Sequence, residues 1–133
     1  MSKSVIYTCN NAGATLAAGD VIPVGSTIRR YGCNIRQDGN AVTLCGQGYY
    51  LINASCNVTP SAAGTVSVSA FKDGVAIIGA NASATVAATD TAVNLSISAI
   101  VRNLCNCGNS LLSFSLGGAA AVVNNLAVTV EKL

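Results

Sequence analysis

The stretch from residue 48 to residue 74 reads GYYLINASCNVTPSAAGTVSVSAFKDG, and its side chains alternate between an apolar and a mostly polar face. The apolar positions of its two segments are Tyr50, Ile52, Ala54, Cys56, Val58, Val66, Val68 and Ala70. Successive side chains of a strand point to opposite faces, so a period of two indicates β-strands with one buried side.

The same alternation recurs in residues 93–101, 112–116 and 126–130, with Ser, Thr or Asn at many of the intervening positions. The sequences Asp38-Gly39-Asn40 and Lys72-Asp73-Gly74 are typical of tight turns between antiparallel strands, because Asp-Gly tolerates positive φ angles. We therefore predict an all-β fold, a single antiparallel β-sandwich jelly roll of about eight to ten strands.

A chain of 133 residues fits one domain, which we place at residues 1–133. Within it we expect N-terminal strands or an arm over residues 1–27, and a core over 28–133 that ends in a closing strand at 126–133. No apolar run of about 7–15 residues follows the N-terminal Lys3, so we expect no secretory signal. The longest apolar run, at 119–123, is too short to cross a membrane.

Charged residues are scarce: Asp, Glu, Lys and Arg make up 9% of the chain, against about 25% in typical soluble domains. The apolar fraction is 51% and the mean hydropathy is +0.53. A surface with so few charges is poorly protected against association, which favours a protomer partly covered by identical copies. A net charge of +2 argues against nucleic-acid binding, since phosphate neutralisation needs a basic face.

The chain has no His, which removes the commonest general base and metal ligand. Glu131 is the only glutamate, and no nucleophile elbow or phosphate-binding glycine loop occurs. We therefore predict no enzymatic activity, no catalytic residue and no cofactor.

The segments GYYLINASCNV and GTVSVSAFKDGVAIIGA, with the final LAVTVEKL, resemble the complement-type and tumour-necrosis-factor-like jelly rolls from about residue 28 onward. The positions that carry the resemblance most specifically are Gly48, Tyr50, Lys72, Asp73 and Gly74. Within that family the chain looks most like short stand-alone forms from bacteria and their phages. The resemblance implies a compact homotrimer that packs through an apolar sheet face around a threefold axis.

The function that this resemblance implies is a non-enzymatic structural protein of a virion, either a capsid decoration or a head-fibre trimer. The alternatives are a receptor- or carbohydrate-binding fibre head, and a cell- or spore-surface protein of the same fold; the missing Gly-X-Y stalk speaks against the spore-surface form. The expected partners are further copies of the chain and capsid or fibre proteins, with surface glycans as an alternative and neither nucleic acid nor membrane. The expected location is the virion, assembled in the host cytoplasm, or alternatively the bacterial cell or spore surface.

The candidate partner-binding residues are Arg29, Arg30, Tyr31 and Arg36 in one cluster, and Tyr49 apart from them. Arginine and tyrosine often dominate interface energies, so the cluster is a candidate anchor for an acidic partner. The alternative is that its arginines are solvated or pair with Asp across a trimer seam. Tyr49 lies opposite the apolar stripe of Tyr50 and is a candidate for stacking on a sugar or packing on a neighbouring subunit.

Six cysteines occur, and the only closely spaced pair is Cys105 and Cys107, the candidate axial or loop thiols. That spacing differs from the paired knuckles of zinc sites, and the chain is large enough to fold without disulfides. Cys56 falls on the apolar stripe, so we favour buried structural thiols, with a disulfide or a metal as alternatives. We accordingly expect reductant and chelator to leave the thermal transition nearly unchanged.

Overall fold

The structure is a computed structural model that describes residues 4–11, 13–61, 63–87, 92–103, 109–118 and 120–133. Within these ranges the regular structure is strand throughout, with no helix. The strands are β1 (Val5–Asn10), β2 (Ala14–Leu16), β3 (Ser26–Tyr31), β4 (Ile35–Asp38), β5 (Ala41–Cys45), β6 (Gly48–Pro60), β7 (Gly64–Lys72), β8 (Val75–Val86), β9 (Val93–Asn103), β10 (Asn109–Gly117) and β11 (Ala121–Lys132).

The strands form two antiparallel sheets that pack face to face. Sheet A has the order β3-β1-β11-β6-β9, and the short β2 also pairs with β11. Sheet B has the order β4-β5-β10-β7-β8. Most neighbours within a sheet are distant in the chain, which is the topology of a jelly-roll sandwich and confirms the predicted fold class.

The core lies between the sheets and contains the apolar positions of every alternating segment. Each of the five segments predicted from the period of two is a strand with its apolar side buried. The largest fully buried side chains come from both sheets and include Tyr50, Ile52 and Leu126 in sheet A, and Phe114 and Leu112 in sheet B.

The two predicted hairpin turns are also present. Asp73 and Gly74 adopt φ angles of 53° and 83° between β7 and β8, as Asp-Gly turns require. The turn is anchored to β10, because Leu111 N donates to Asp73 Oδ1 at 2.9 Å and Asp73 N donates to Leu111 O at 2.8 Å. Between β4 and β5, Gly39 takes a φ of 61°.

The described residues contain eleven strands, more than the eight to ten predicted from the sequence. One of the strands outside the five alternating segments is β3, in which all six residues are exposed. Without an apolar side β3 shows no alternation, and it is held instead by pairing with β1, where Tyr31 lies opposite Val5. The division of the chain near residue 27 stays a prediction.

Across the described ranges, no helix is long and apolar enough to traverse a bilayer.

Candidate self-association surface

The outer face of sheet A, turned away from the core, carries a row of side chains that crosses five strands. From β3 to β9 the row consists of Tyr31, Val5, Glu131, Leu51 and Ile100, each opposite the next in the strand register. We call it the cross-strand row. Four of its five members are apolar or aromatic, and Tyr31 and Ile100 at its two ends are 69% and 57% exposed.

The row follows from the alternation and the register together. The chain neighbours of three row members are buried and point into the core: Val130 beside Glu131, Ile52 beside Leu51, and Val101 beside Ile100. The intervening residues must therefore point outward, and the register brings them side by side. Directly opposed side chains of neighbouring strands lie close enough to form one continuous surface.

Tyr49 lies at the end of this face, where it pairs with Arg102 of the edge strand β9. The guanidinium carbon of Arg102 lies 5.9 Å from the centre of the Tyr49 ring, within the range of a cation–π contact. Both side chains are exposed. Arg102 is therefore held above the sheet surface by an aromatic ring.

A buried polar network fixes the start of β6, and with it Tyr49. Tyr50 Oη donates to the carbonyl oxygens of Cys45 and Gly46 at 2.9 Å each. Asn103 Nδ2 donates to the same Gly46 oxygen at 2.9 Å, and Ser110 Oγ donates to Asn103 Oδ1 at 2.7 Å. Burial raises the pKa of the Tyr50 phenol, so this hydroxyl keeps its proton and its donor role.

The apolar surface continues around the edge of the sandwich where β8 and β9 meet. A groove of about 500 Å³ lies there, lined by Val75, Ile77, Ile78, Ile100 and Arg102 among others. Ile78 is 99% exposed and Val75 is 70% exposed. Because Ile100 belongs to both the groove and the cross-strand row, the two form one continuous surface.

A different environment occupies the middle of the same face of sheet A. A hollow of about 410 Å³ is lined mainly by small or polar side chains, Asn53, Ser55, Ser96, Ser98, Ala127 and Thr129. Beside it Asn94 Nδ2 donates to Asn57 Oδ1 at 2.7 Å and to Ser55 Oγ at 3.2 Å. The outer face of sheet A thus divides into an apolar end and a polar, concave centre.

The three arginines singled out from the sequence each donate a hydrogen bond to another residue of the same chain. Arg29 pairs in register with Tyr7 on the outer face, and its Nη1 donates to Ile28 O at 3.0 Å. Arg30 Nε donates to Ile35 O at 2.7 Å, and Arg36 Nε donates to Asp38 Oδ2 at 3.0 Å. The ion pair of Arg36 is thus within the chain, and a role for these three arginines in binding an acidic partner stays a prediction.

Cys105 and Cys107 lie outside the described residues, so their predicted place at an axis or in a loop stays a prediction. Cys9, Cys33, Cys45 and Cys56 are free thiols. Cys56 is 1% exposed, as its position on the apolar stripe predicts.

Desolvation raises the pKa of the Cys56 thiol to about 12, which keeps it protonated and unreactive at neutral pH. Among the described residues, no group of three or more His, Cys, Asp or Glu side chains could hold a metal ion.

Four residues of this surface were not predicted as site residues from the sequence: Glu131, Arg102, Val75 and Ile78. Glu131 and Arg102 occupy outward positions of alternating strands, which is a signal that the sequence does contain. Val75 and Ile78 follow the Asp-Gly turn in a run that does not alternate, and their exposure depends on β8 being the edge of sheet B.

No protein-family model matches the sequence, and no curated protein matches it. Solved structures do match in fold. Murine APRIL at pH 5.0 superposes with a TM-score of 0.76 at 13% identity, covering 99% of this chain and 100% of APRIL. The vertex protein P5 of PRD1 gives a TM-score of 0.70 at 16% identity, covering 98% of this chain and 96% of that chain.

The globular domain of zebrafish complement 1qA gives a TM-score of 0.67 at 9% identity, covering 97% of this chain and 95% of that domain. At such identities the likeness establishes the fold alone. The chain is a jelly roll of the type found in tumour-necrosis-factor-like and complement-type domains, as the resemblance of the sequence predicted. Its predicted bacterial or phage origin stays a prediction.

Proposed function

We propose that this chain is a non-enzymatic structural protein that assembles into a homotrimer and serves in a virion, as a capsid decoration or a fibre head. The observation that carries the proposal is the continuous apolar surface formed by the cross-strand row and the β8–β9 groove. Exposed contiguous apolar patches on soluble domains mark interaction sites, and here the scarcity of charge leaves the surface unprotected against association.

The placement of this surface favours a ring of identical copies. It covers part of a sheet face and then turns around one edge of the sandwich at Ile100. In a head-to-tail arrangement, the edge of one copy packs on the face of the next, and each copy uses both parts once. Such a contact closes into a ring when the rotation between copies divides a full turn, and a threefold ring is what the family resemblance implies.

The virion role is supported by the fold likeness to the PRD1 vertex protein P5. Proteins of one fold have many different functions, so the virion role needs its own test. The test is quantitative mass spectrometry of virus particles purified from cultures in which this gene is expressed. We expect the chain at a fixed copy number that is a multiple of three, and its absence from intact particles would contradict the virion role.

The alternative of a glycan-binding head is less well supported at Tyr49. A sugar ring would stack on the exposed face of that tyrosine, but the Arg102 guanidinium already lies over the ring. A glycan array is the discriminating measurement. We expect no saturable binding, and low-micromolar binding that Tyr49→Ala abolishes would favour the glycan-binding head.

A further inference from the structure

We propose that Arg102 of one copy forms an ion pair with Glu131 of the neighbouring copy, and that this pair sets the register between copies. The proposal rests on the self-association proposed above and names a contact that this association makes. The partner is a second copy of the chain, chosen because the chain carries both complementary charges on its own apolar surface.

Glu131 provides the first half of the argument. It is half-buried, and its direct neighbours across the strands are the apolar Val5 and Leu51. In the described part of the chain the ion pairs are Arg36–Asp38 and Lys72–Asp73, so Glu131 has no cationic partner there. When a second copy covers the row, this carboxylate loses water and needs a cation from that copy, because an unpaired buried charge is costly.

Arg102 provides the second half. It lies on β9, the edge strand of sheet A, and it too lacks a carboxylate partner among the described residues. Its guanidinium rests over the Tyr49 ring, which limits the conformations that it must give up on binding. A planar guanidinium is well suited to pair with a carboxylate at an interface.

Within one copy Arg102 and Glu131 do not form an ion pair. β6 lies between β9 and β11, and Arg102 lies two residues along β9 from the row of Glu131, so the two backbones are about 12 Å apart at ordinary strand spacing and rise. In a head-to-tail contact, by contrast, the edge strand of one copy approaches the face of the next. Arg102 on the edge strand of one copy would then lie near Glu131, the only acidic member of the cross-strand row of the next copy.

Other cations on the described part of the chain fit less well. Lys132 follows Glu131 directly and therefore points to the opposite side of β11, where its side chain lies beside Gly48. Lys72 lies near Asp73 at the β7–β8 turn. Arg29 lies one row away from Glu131 and on β3, at the far edge of the sheet from β9.

The test is a charge-reversal cycle followed by sedimentation equilibrium. The variants are Arg102→Glu, Glu131→Arg and the double variant, with Ser83→Glu on the exposed outer face of sheet B as the control for an added negative charge. We expect each single reversal to raise the trimer dissociation constant about 100-fold or more, because three seams each lose a pair and gain a repulsion. The double variant should recover most of that loss, and the control should remain within about threefold of the wild type.

Single reversals that leave a trimeric wild type unaffected would overturn the ion pair and leave the proposed assembly standing. A double variant no tighter than the weaker single variant would overturn it as well. A wild-type chain that is monomeric would instead contradict the assembly itself. If circular dichroism shows that a reversal does not fold, Arg102→Gln and Glu131→Gln replace it, and each is expected to raise the constant about tenfold; no change in either would overturn the pair.

Discussion

Rows of hydroxyl and amide side chains cross part of the outer face of sheet B, whereas one end of the outer face of sheet A is crossed by a row that contains tyrosine, valine, leucine and isoleucine. On sheet B, Ser115 lies opposite Ser69, which lies opposite Asn81, and the next row contains Ser67 and Ser83. On sheet A the corresponding row across the strands is Tyr31, Val5, Glu131, Leu51 and Ile100.

Small polar groups cover these rows of sheet B and also the centre of the outer face of sheet A, but they are absent from the cross-strand row. Sheet B is suited to water, because hydroxyl and amide side chains are solvated without charge. Sheet A keeps large apolar side chains uncovered at one end, although the same period of two would place serine there equally well. We therefore assign the serine rows of sheet B to solvent, and the cross-strand row of sheet A with the adjoining β8–β9 groove to contact between copies.

A charge placed on each face in turn should have the largest effect. Ile100→Asp should dissociate the trimer, at a cost of about 10 kcal/mol per trimer, because three unpaired carboxylates would be buried at about 3 kcal/mol each. Size-exclusion chromatography with light scattering measures the result, and circular dichroism should show the fold retained.

The control is Ser83→Asp, which introduces the same carboxylate on the exposed face of sheet B and should leave the trimer intact. Equal dissociation by both variants, or by neither, would mean that the two faces do not differ as described.

Substitutions in the core should destabilise the fold to a similar degree whichever sheet they come from. Leu126 on β11 and Leu112 on β10 are both fully buried, one from each sheet. Each change to Ala should therefore lower the free energy of unfolding by about 2–5 kcal/mol. Urea denaturation measures both, and a loss below about 1 kcal/mol for one of them would mean that its sheet contributes little to the core.

Two fully buried threonines, one in each sheet, differ in the hydrogen bonding of their hydroxyl groups. Thr8, on the inner face of β1, has the only buried side-chain oxygen or nitrogen of the described residues without a hydrogen-bond partner. Thr8→Val removes that unpaired hydroxyl and should raise the free energy of unfolding by about 1 kcal/mol. Thr43 in sheet B donates to the Asp38 carboxylate, so Thr43→Val should instead lower stability. Thermal melts of both variants check the signs, and a destabilised Thr8→Val would contradict the assignment of an unpaired group.

The smallest effect is expected at Asp38, beside the β4–β5 turn. The hydrogen bond from Thr43, and then that from Arg36, hold the pKa of this carboxyl below its ordinary value of 3.8. Its lowered pKa makes the folded state more stable above pH 3.8, and this contribution is lost as the pH falls through the lowered value. Asp38→Asn should therefore flatten the acid-side decline of the melting temperature slightly, and an unchanged pH profile would contradict this account.

Most of the fold could be predicted from segments in which apolar and polar residues alternate, because the alternation indicates which side of a strand is buried. Residues 50–58 alternate because one face of β6 packs on the core, and Asp73-Gly74 predicts a turn that depends only on local backbone angles. The strand β3 could not be predicted in this way, since all its residues are exposed and only its pairing with β1 makes it a strand.

The candidate surface was less accessible to prediction than the fold. Alternation places Leu51 and Glu131 on an outward face, but their alignment with Ile100 depends on the register of three strands that are distant in the chain. The exposure of Ile78 depends on β8 being an edge strand, which is a property of the whole sheet. The role of the predicted cluster around Arg29 and Arg36 in binding a partner stays a prediction.

Sedimentation equilibrium of the wild-type chain at micromolar concentration tests the central claim, that the outer face of sheet A binds further copies of the chain. The account predicts a single species of about 40 kDa, three times the chain mass of 13.3 kDa. A species of 13.3 kDa throughout the micromolar range would contradict it, because the cross-strand row and the β8–β9 groove would then remain exposed to water.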